Sequence, residues 1–291
     1  MEFISYLVNG LGLGSVYAII ALGYTMVYGI AKMLNFAHGD VIMVGAYISF
    51  FALMNFGLPI IPATLVAIVC CTLLGVTIEK LAYKPLRQAS SLAVLITAIG
   101  VSYFLQNGAQ LLWSSATKVY PSAMPAGSLR IGEFSISWLT LITIAVCLLI
   151  MAALTTFINK TKTGRAMRAC SEDKGAAILM GINVNFIISV TFAIGSGLAA
   201  IASVLLCSTY PSVFPTLGAM PGIKAFTAAV FGGIGSIPGA FLGGLLLGII
   251  EILAKAYIST QLSDAIVFAV LIVVLLIKPT GLLGKKLSVK V

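Results

Sequence analysis

Residues 231–251 read FGGIGSIPGAFLGGLLLGIIE, an apolar stretch interrupted by Gly232, Gly233, Gly235 and the pair Pro238 and Gly239. The surrounding apolar segment, 222–257, would run about 54 Å as one helix, at about 1.5 Å per residue. The hydrocarbon core of a bilayer measures only about 30 Å. Glycine and proline both disfavour a helix interior. We therefore predict a half-helix over 222–233 that dips into the membrane and a longer helix over 239–257 that returns to the same side.

The composition of the whole chain is that of a membrane protein. Of the 291 residues, 60% are hydrophobic and only 9% are charged, whereas soluble domains carry about 25% charged residues. Mean hydropathy is +1.13. These values exclude a cytosolic globular enzyme, a nucleic-acid-binding domain and a disordered chain. We predict an all-α polytopic membrane protein with one transmembrane domain, 1–291, built from an inverted repeat.

About eight transmembrane segments are predicted, one or two of them broken or re-entrant. The apolar segments are 3–30, 36–56, 59–79, 91–113, 134–158, 183–209, 222–257 and 262–278. Residues 114–133 and 210–221 are rich in proline and glycine, which favours loops. A broken helix near the middle of the bilayer is typical of transporters.

The net charge of +9 has a distribution that predicts topology. Twelve of the 17 Lys and Arg residues fall in three clusters, at 80–87, 160–174 and 278–290. An excess of basic residues marks cytoplasmic loops, so all three clusters and the C-terminus are predicted to be cytoplasmic. The first segment is followed by Lys32, which places the N-terminus outside. The five cysteines indicate no disulfide framework.

Residues 34–40 read LNFAHGD and form a second irregular stretch. Its polar residues Asn35, His38 and Asp40 either cap a helix at the membrane edge or line a path for cargo. His38 is the only histidine, with no Cys or carboxylate at ligand spacing, so no metal site is predicted. The glycines 232, 233 and 235 are further path candidates, although a stripe of small residues also serves tight helix packing. Glu251 and Lys255, at i and i+4, are interpreted as an interfacial pair.

The loop 159–183, NKTKTGRAMRACSEDKGAAILMGIN, is more structured than a linker requires. Two stretches favour helix on either side of a charged turn, and Gly181 is placed to end the second helix as a C-terminal cap. A folded, charged and amphipathic element that projects from a membrane domain indicates docking to a cytoplasmic partner.

Several motifs together make the chain recognisable. The G-R-A-x-R-A…A-A…G-I-N pattern from Gly164 to Asn183 resembles the coupling loop of ABC importer permeases. LNFAHGD at 34–40, FGGIGSIPGAFLGGLLLGIIE at 231–251 and KPTGLLG at 278–284 resemble the H-type permease subunits of high-affinity branched-chain amino acid importers. The resemblance covers nearly the whole chain. It implies that these residues couple to an ATPase: Gly164, Arg165, Ala166, Arg168, Ala169, Glu172, Ala176, Ala177, Gly181 and Asn183.

The resemblance also implies partners. Two cytoplasmic ATPase subunits would bind the coupling loops, a second homologous permease subunit would complete the pathway in the lipid bilayer, and a periplasmic binding protein would deliver the amino acid. The sequence has no G-x-x-x-x-G-K-[ST] phosphate loop, which agrees with ATP and Mg²⁺ being used by the partner subunits. We expect a non-enzymatic subunit of the bacterial inner membrane with no cofactor of its own.

Other functions stay open at this stage. A permease of the same family for urea or short amides would share the motifs. An ion-coupled secondary transporter would need ionisable groups inside the membrane, and only Asp40, Lys224 and Glu251 come near such positions. A channel would not need the structured loop, and an intramembrane enzyme would need a nucleophile close to a base.

Overall fold

The computed structural model describes residues 2–122, 127–131 and 134–284. The helices are α1 (Glu2–Ala31), α2 (His38–Met54), α3 (Ile60–Ile78), α4 (Ser91–Trp113), α5 (Trp138–Lys160), α6 (Lys162–Glu172), α7 (Lys174–Leu179), α8 (Val184–Thr209), α9 (Ala219–Gly232), α10 (Ile237–Tyr257) and α11 (Ser263–Ile277). Helix α3 continues into a π turn, Glu79–Tyr83, and a 3₁₀ turn, Lys84–Leu86. The all-α membrane architecture predicted from composition is confirmed.

Four short strands lie in the loops. Strand β1 (Lys118–Val119) pairs antiparallel with β4 (Ser212–Val213), so that Lys118 faces Val213. Strands β2 (Ser128–Ile131) and β3 (Phe134–Ser137) form an antiparallel hairpin. The two loops predicted from proline and glycine therefore lie on one side of the bundle and contact each other.

The predicted spans agree with the helices to within a few residues over most of the chain. Among the described residues, six helices are long and apolar enough to cross a membrane, while α2 and α11 are apolar but shorter. The break predicted within 222–257 is also present, between Gly232 and Ile237. The exact number of crossings remains a prediction.

The helices run between two distinct ends of the bundle. At one end, Lys174 Nζ donates to the last carbonyl of α1, Ala31 O, at 2.7 Å. Leu282 and Leu283 donate their backbone N–H groups at the same end, to Phe231 O and Gly232 O, both at 2.9 Å. We call this the basic end, because it holds Lys32, the 79–90 turn and the 159–183 loop. The far end holds the strands and the contact between Tyr6 and Tyr257, whose ring centroids are 5.8 Å apart.

The described parts of all three basic clusters lie at the basic end, as the charge pattern predicted. Lys285, Lys286 and Lys290 of the tail lie outside the described residues. The N-terminal end of α1 lies at the far end.

Helices α2 and α9 begin part-way along the bundle. His38, the first residue of α2, packs against Gly23 of α1, which is about 12 Å from Ala31 at about 1.5 Å per residue. Gly39 contacts Gly218, immediately before α9. The chain therefore re-enters the bundle twice without helix, at 32–37 from the basic end and at 210–218 from the far end.

This arrangement corrects the predicted depth of the break in 222–257. Gly235 lies beside Gly29, in the last turn of α1, so the break is at the basic end rather than near the middle of the bundle. Helix α9 runs from mid-bundle to the basic end, and α10 then spans the bundle back to the far end. The non-helical backbone at mid-depth is in 32–37 and 210–218 instead.

The packing of helices α1–α4 corresponds to that of α8–α11. Helix α1 packs on α10 and α9, and in the same way α8 packs on α3 and α2. Helix α2 contacts α3 and α4, and α9 correspondingly contacts α10 and α11. The helices α1 and α8 run in opposite directions. This is the pattern that an inverted repeat produces, and the repeat itself remains a prediction.

Glycines bring α1 and α10 into close contact. Gly10 and Gly14 of α1 face Gly248 and Leu245 of α10, and Gly244 faces Ala18. A Cβ at Gly244 would overlap the backbone of Ala18. Another glycine face of α10, at Gly239 and Gly243, meets α9. The interpretation of the glycine stripe as tight helix packing is confirmed, since small residues let helix backbones approach closely.

We expect Gly244→Leu to destabilise the fold by about 1–3 kcal/mol, the usual cost of overpacking a tight interior. The matched control is Gly100→Leu in α4, because a side chain at Gly100 would meet nothing within 4 Å. Thermal unfolding of the purified chain in detergent measures the effect. Equal midpoints for the two variants would contradict the close α1–α10 contact.

Candidate functional site

The loop 159–183 forms two helices that local capping holds in place. Thr161 Oγ1 accepts from the Gly164 N–H at 2.9 Å and starts α6. A Cβ at Gly164 would overlap the backbone of Ile158, so α6 folds back closely against the end of α5. Asp173 Oδ1 accepts from the Ala176 N–H at 3.0 Å and starts α7.

The predicted end of the second helix at Gly181 is confirmed. Gly181 has φ +79°, and the Ile182 N–H donates to Ala177 O at 3.0 Å, which closes the turn. This left-handed conformation is the one that glycine adopts readily. Asn183 then starts α8, because its Oδ1 accepts from the Phe186 N–H at 3.1 Å.

The loop is attached to the bundle by buried side chains. Met167, Cys170 and Ala177 are buried, and Lys174 is half-buried through its bond to Ala31 O. Burial lowers the pKa of Lys174, and the nearby positive charges of Arg87 and Lys32 lower it further. Burial also raises the pKa of the Cys170 thiol. Cys170 is therefore a poor labelling probe for the sidedness of this loop.

The resemblance implied that ten loop residues couple to an ATPase, but not all of them are exposed. Arg165, Arg168, Glu172, Ala176 and Asn183 are exposed, whereas Ala166 and Ala169 are half-buried. Ala177 is only 4% exposed, so it packs inside the chain and is not free to contact a partner. The apolar surface that the loop exposes is formed by other residues.

This apolar patch consists of Ile178, Leu179 and Met180, which are 61%, 89% and 81% exposed. We call it the 178–180 patch. Three adjacent apolar side chains on a charged loop outside the spans are unusual for a solvated surface, which favours contact with another protein. The sequence contained the signal as the run Ile-Leu-Met before Gly181, but hydropathy alone did not distinguish exposed residues from buried ones.

Near mid-depth, the polar residues Asn35, His38 and Asp40 are buried. Asn35 Oδ1 accepts from Tyr83 OH at 2.9 Å. Asp40, in the first turn of α2, accepts from Gln106 Nε2 of α4 at 2.8 Å. His38 packs edge-on against Tyr24, with ring centroids 4.6 Å apart. Its Nε2 has no partner within the described parts of the chain.

A narrow cleft opens beside this stretch. It is lined by Tyr24, Tyr28, Leu34, Asn35, Phe226, Ala229 and Ile234. Phe226 lies 5.7 Å from Tyr24 and 5.6 Å from Phe36, measured between ring centroids. The walls are therefore aromatic and aliphatic, with one buried amide at Asn35. The cleft encloses only about 10 Å³, so it is closed to an amino acid in this conformation.

The two irregular stretches that the sequence singled out meet at this cleft. Asn35 comes from the first and Ile234, between Gly233 and Gly235, from the second. The glycines themselves do not line the cleft. Gly232 packs against Gly239, Gly233 (φ +107°) against Gly284, and Gly235 (φ +91°) near Gly29, so they form a packed junction.

A partly buried cluster of ionic groups lies apart from the cleft, with Lys224 and Glu251 buried and Lys255 and Asp264 partly exposed. Lys224 Nζ lies 2.9 Å from Glu251 Oε1 and 2.6 Å from Asp264 Oδ1, and Lys255 Nζ lies 2.6 Å from Glu251 Oε1. Tyr17 OH donates to Glu251 Oε2 at 2.9 Å. The predicted pair of Glu251 and Lys255 is confirmed, and Glu251 is only 1% exposed because Tyr17 and Lys224 also pack on it. A lone Lys224 in the apolar helix α9 was the signal for this cluster.

The family described as "Branched-chain amino acid transport system / permease component" matches residues 6–275. The chain belongs to this family. It is 48% identical to the high-affinity branched-chain amino acid transport system permease protein BraD of Pseudomonas aeruginosa, and 49% identical to the LivH protein of Escherichia coli. Both alignments cover 98% of this chain and 96% of the relative.

A solved structure shows a similar fold. PsaBC from Streptococcus pneumoniae, in complex with Fab, aligns over 96% of both chains with a TM-score of 0.52 and 17% identity. The family indicated by the four motifs is confirmed, and the chain is a multi-pass membrane protein.

We expect deletion of residues 281–291 to destabilise the chain more than deletion of 285–291 does. The longer deletion removes the N–H groups of Leu282 and Leu283 that bond Phe231 O and Gly232 O at the break. Each lost bond leaves a buried carbonyl without its partner, at about 1–3 kcal/mol. Thermal unfolding in detergent measures both variants. If the two midpoints coincide, the C-terminal segment does not support the break.

Proposed function

We propose that the chain is a membrane-spanning permease subunit of an ATP-driven ABC importer that moves branched-chain amino acids into the cytoplasm. The single observation that carries this proposal is the 178–180 patch, on a capped helix pair fixed to the bundle, in a chain of this permease family. A periplasmic binding protein supplies the amino acid, and two cytoplasmic ATPase subunits supply the energy. A second permease subunit completes the path.

The proposed location is the bacterial inner membrane, with the basic end in the cytoplasm. The three basic clusters support this orientation because cytoplasmic loops are enriched in Lys and Arg. The C-terminus is then cytoplasmic and the N-terminus periplasmic. The charge of +9 is thereby accounted for without a nucleic-acid partner. ATP and Mg²⁺ bind the partner ATPases, and this subunit performs no chemistry of its own.

Coupling follows a short route through the molecule. An ATPase seated on the 178–180 patch moves α7, whose Lys174 bonds the last carbonyl of α1. The chain continues directly from there into Leu34 and Asn35 at the cleft. The ATPase pair would contact the permease differently when it is closed and when it is open. Because a partner shifts an equilibrium only through such a difference, closing and opening move the permease between two states.

Branched-chain amino acids are favoured over urea or a short amide because the relatives at 48% and 49% identity are named as permeases for branched-chain amino acids. The cleft agrees with an aliphatic cargo through Leu34, Phe226 and Ile234, although Asn35 and two tyrosines also lie in its walls. A path that binds the amino acid only weakly is sufficient, since the periplasmic binding protein selects the amino acid.

An ion-coupled secondary transporter is the alternative that the partly buried ionic cluster would favour. Its two lysines and two carboxylates are all paired with one another. Such pairing links α9, α10 and α11 and leaves none of these four charges open for a coupling ion. The ABC importer is therefore the better-supported function.

We expect Leu179→Asp to abolish association with the ATPase subunits and uptake of labelled leucine together. The new carboxylate would be desolvated against an apolar contact. Leu179→Met is the matched control, because it preserves an apolar surface at the same exposed position. The measurements are co-purification of the ATPase with each variant, and uptake in cells. Normal association and uptake by Leu179→Asp would remove the patch from the coupling route.

We expect Asn35→Leu to lower leucine uptake about tenfold while the chain still inserts and binds the ATPase. The substitution removes a buried amide that faces the cleft. A tenfold loss of uptake corresponds to about 1.4 kcal/mol. Tyr83→Phe serves as the control, since it removes only the hydrogen bond to Asn35 Oδ1. If Tyr83→Phe loses as much uptake as Asn35→Leu, the amide acts through the fold and not on the path.

A further inference from the structure

A groove lies between α3 and α8 at the basic end, apart from the cleft and next to Asn183, the last residue of the loop. It is lined by Val76, Lys80, Lys84, Asn183, Asn185, Phe186, Ser189, Val190 and Ala193. The polar residues of α3 and α8 are nearest the basic end, and the apolar residues extend into the span. The groove is therefore amphipathic along its length.

The α3 side of the groove continues an exposed apolar face. Val69 and Leu73 are exposed, and with Val76 and Lys80 they recur at i, i+4, i+7 and i+11 on one helix face. Lys80 thus lies at the end of an apolar stripe that faces away from the bundle. Long basic side chains at this position extend toward the membrane surface.

The α8 side has the same spacing in the opposite direction. Phe186, Val190 and Ala193 follow one face, and the next residue on it, Gly197, meets α3. A Cβ at Gly197 would lie 3.3 Å from Thr72 Oγ1 and 3.7 Å from Ile68 Cγ2, so the groove closes there. From Val184 to Ala193 the open part is about 14 Å deep, at about 1.5 Å per residue.

The only carboxylate close to the groove is already neutralised within the described residues. Glu79 is buried, accepts from Ser189 Oγ at 2.6 Å and forms an ion pair with Arg87. Arg87 also donates to Asn185. Lys80 and Lys84 are exposed and form no ion pair with any described residue. The mouth of the groove therefore keeps a positive charge without a protein counter-ion.

We propose that this groove binds an anionic phospholipid of the surrounding leaflet. The headgroup phosphate lies between Lys80 and Lys84, with Asn183 and Asn185 as further donors, and one acyl chain lies along Val76, Val190 and Ala193. Basic pockets between membrane helices at this level bind anionic headgroups. The π turn that carries Lys80 supports a ligand role, because such turns occur frequently at functional sites.

The test compares phosphatidylglycerol with phosphatidylcholine of the same acyl chains, added to the purified full chain in detergent and counted by native mass spectrometry. We expect phosphatidylglycerol to bind at least several-fold more tightly. The double variant Lys80→Gln/Lys84→Gln should bind phosphatidylglycerol about tenfold more weakly, since each basic contact near a headgroup contributes substantially. It should thereby lose the preference for phosphatidylglycerol over phosphatidylcholine. The matched control is Lys160→Gln/Lys162→Gln, which removes two exposed lysines from the same end outside the groove.

A second variant tests the acyl-chain part of the site. Ala193→Phe leaves both lysines in place and fills the deep end of the groove, so phosphatidylglycerol affinity should fall several-fold. Free inorganic phosphate at the same concentration should not displace the lipid, because it cannot use the apolar surface.

Four results would overturn the proposal. One is equal binding of the two lipids by the wild-type chain. Another is the same loss in the Lys160/Lys162 control as in the Lys80/Lys84 variant, and a third is full binding by Ala193→Phe. The last is disappearance of the bound lipid when the chain is assembled with its partner subunits, which would show that a protein occupies the groove.

Discussion

The close contact between α1 and α10 is the interaction on which the rest of the structure depends. Gly14 and Gly248 let the two backbones touch, and without a hydrophobic driving force between helices in lipid such packing is what holds them. The cleft, the attachment of the loop and the ionic cluster are all tied to this pair. Helix α1 provides Tyr24 to the cleft and Ala31 O to Lys174, and α10 provides Glu251 to the ionic cluster.

A broken helix adds a second constraint, because backbone groups inside a membrane protein must be satisfied by the protein itself. The break after Gly232 leaves carbonyls that no helix turn can pair, and the segment after α11 donates to two of them. The motif KPTGLLG at 278–284 is thereby explained as a partner of FGGIGS at 231–236. A Cβ at Gly281 would overlap the backbone of Gly233, and a Cβ at Gly233 would overlap Gly284, so neither position has room for a side chain.

Much of this fold could be predicted from the sequence, and the failures share a physical cause. Hydropathy fixed the spans, the glycines fixed the break, and Gly181 ended α7 as expected. Hydropathy reports how apolar a segment is but not its depth, so the re-entry at 32–37 and 210–218 was missed. Small residues are equally compatible with a partner contact and an internal one, which is why Ala177 was misplaced. Lys224 is visible in the sequence as a lone charge in an apolar helix, but a long-range partner such as Asp264 has no local signal.

In the proposed coupling mechanism, few contacts separate the 178–180 patch from the cleft. Between them lie the short helix α7, one hydrogen bond from Lys174 to Ala31 and the six-residue stretch 32–37. That stretch is non-helical and lies between two packed helices, so a small displacement of α7 would be taken up there by backbone rotation, as hinges at helix ends allow. Because Leu34 and Asn35 belong to the same stretch, the residues that would absorb the motion also line the cleft. A coupling signal would therefore cross only a few contacts before it changed the shape of the cleft.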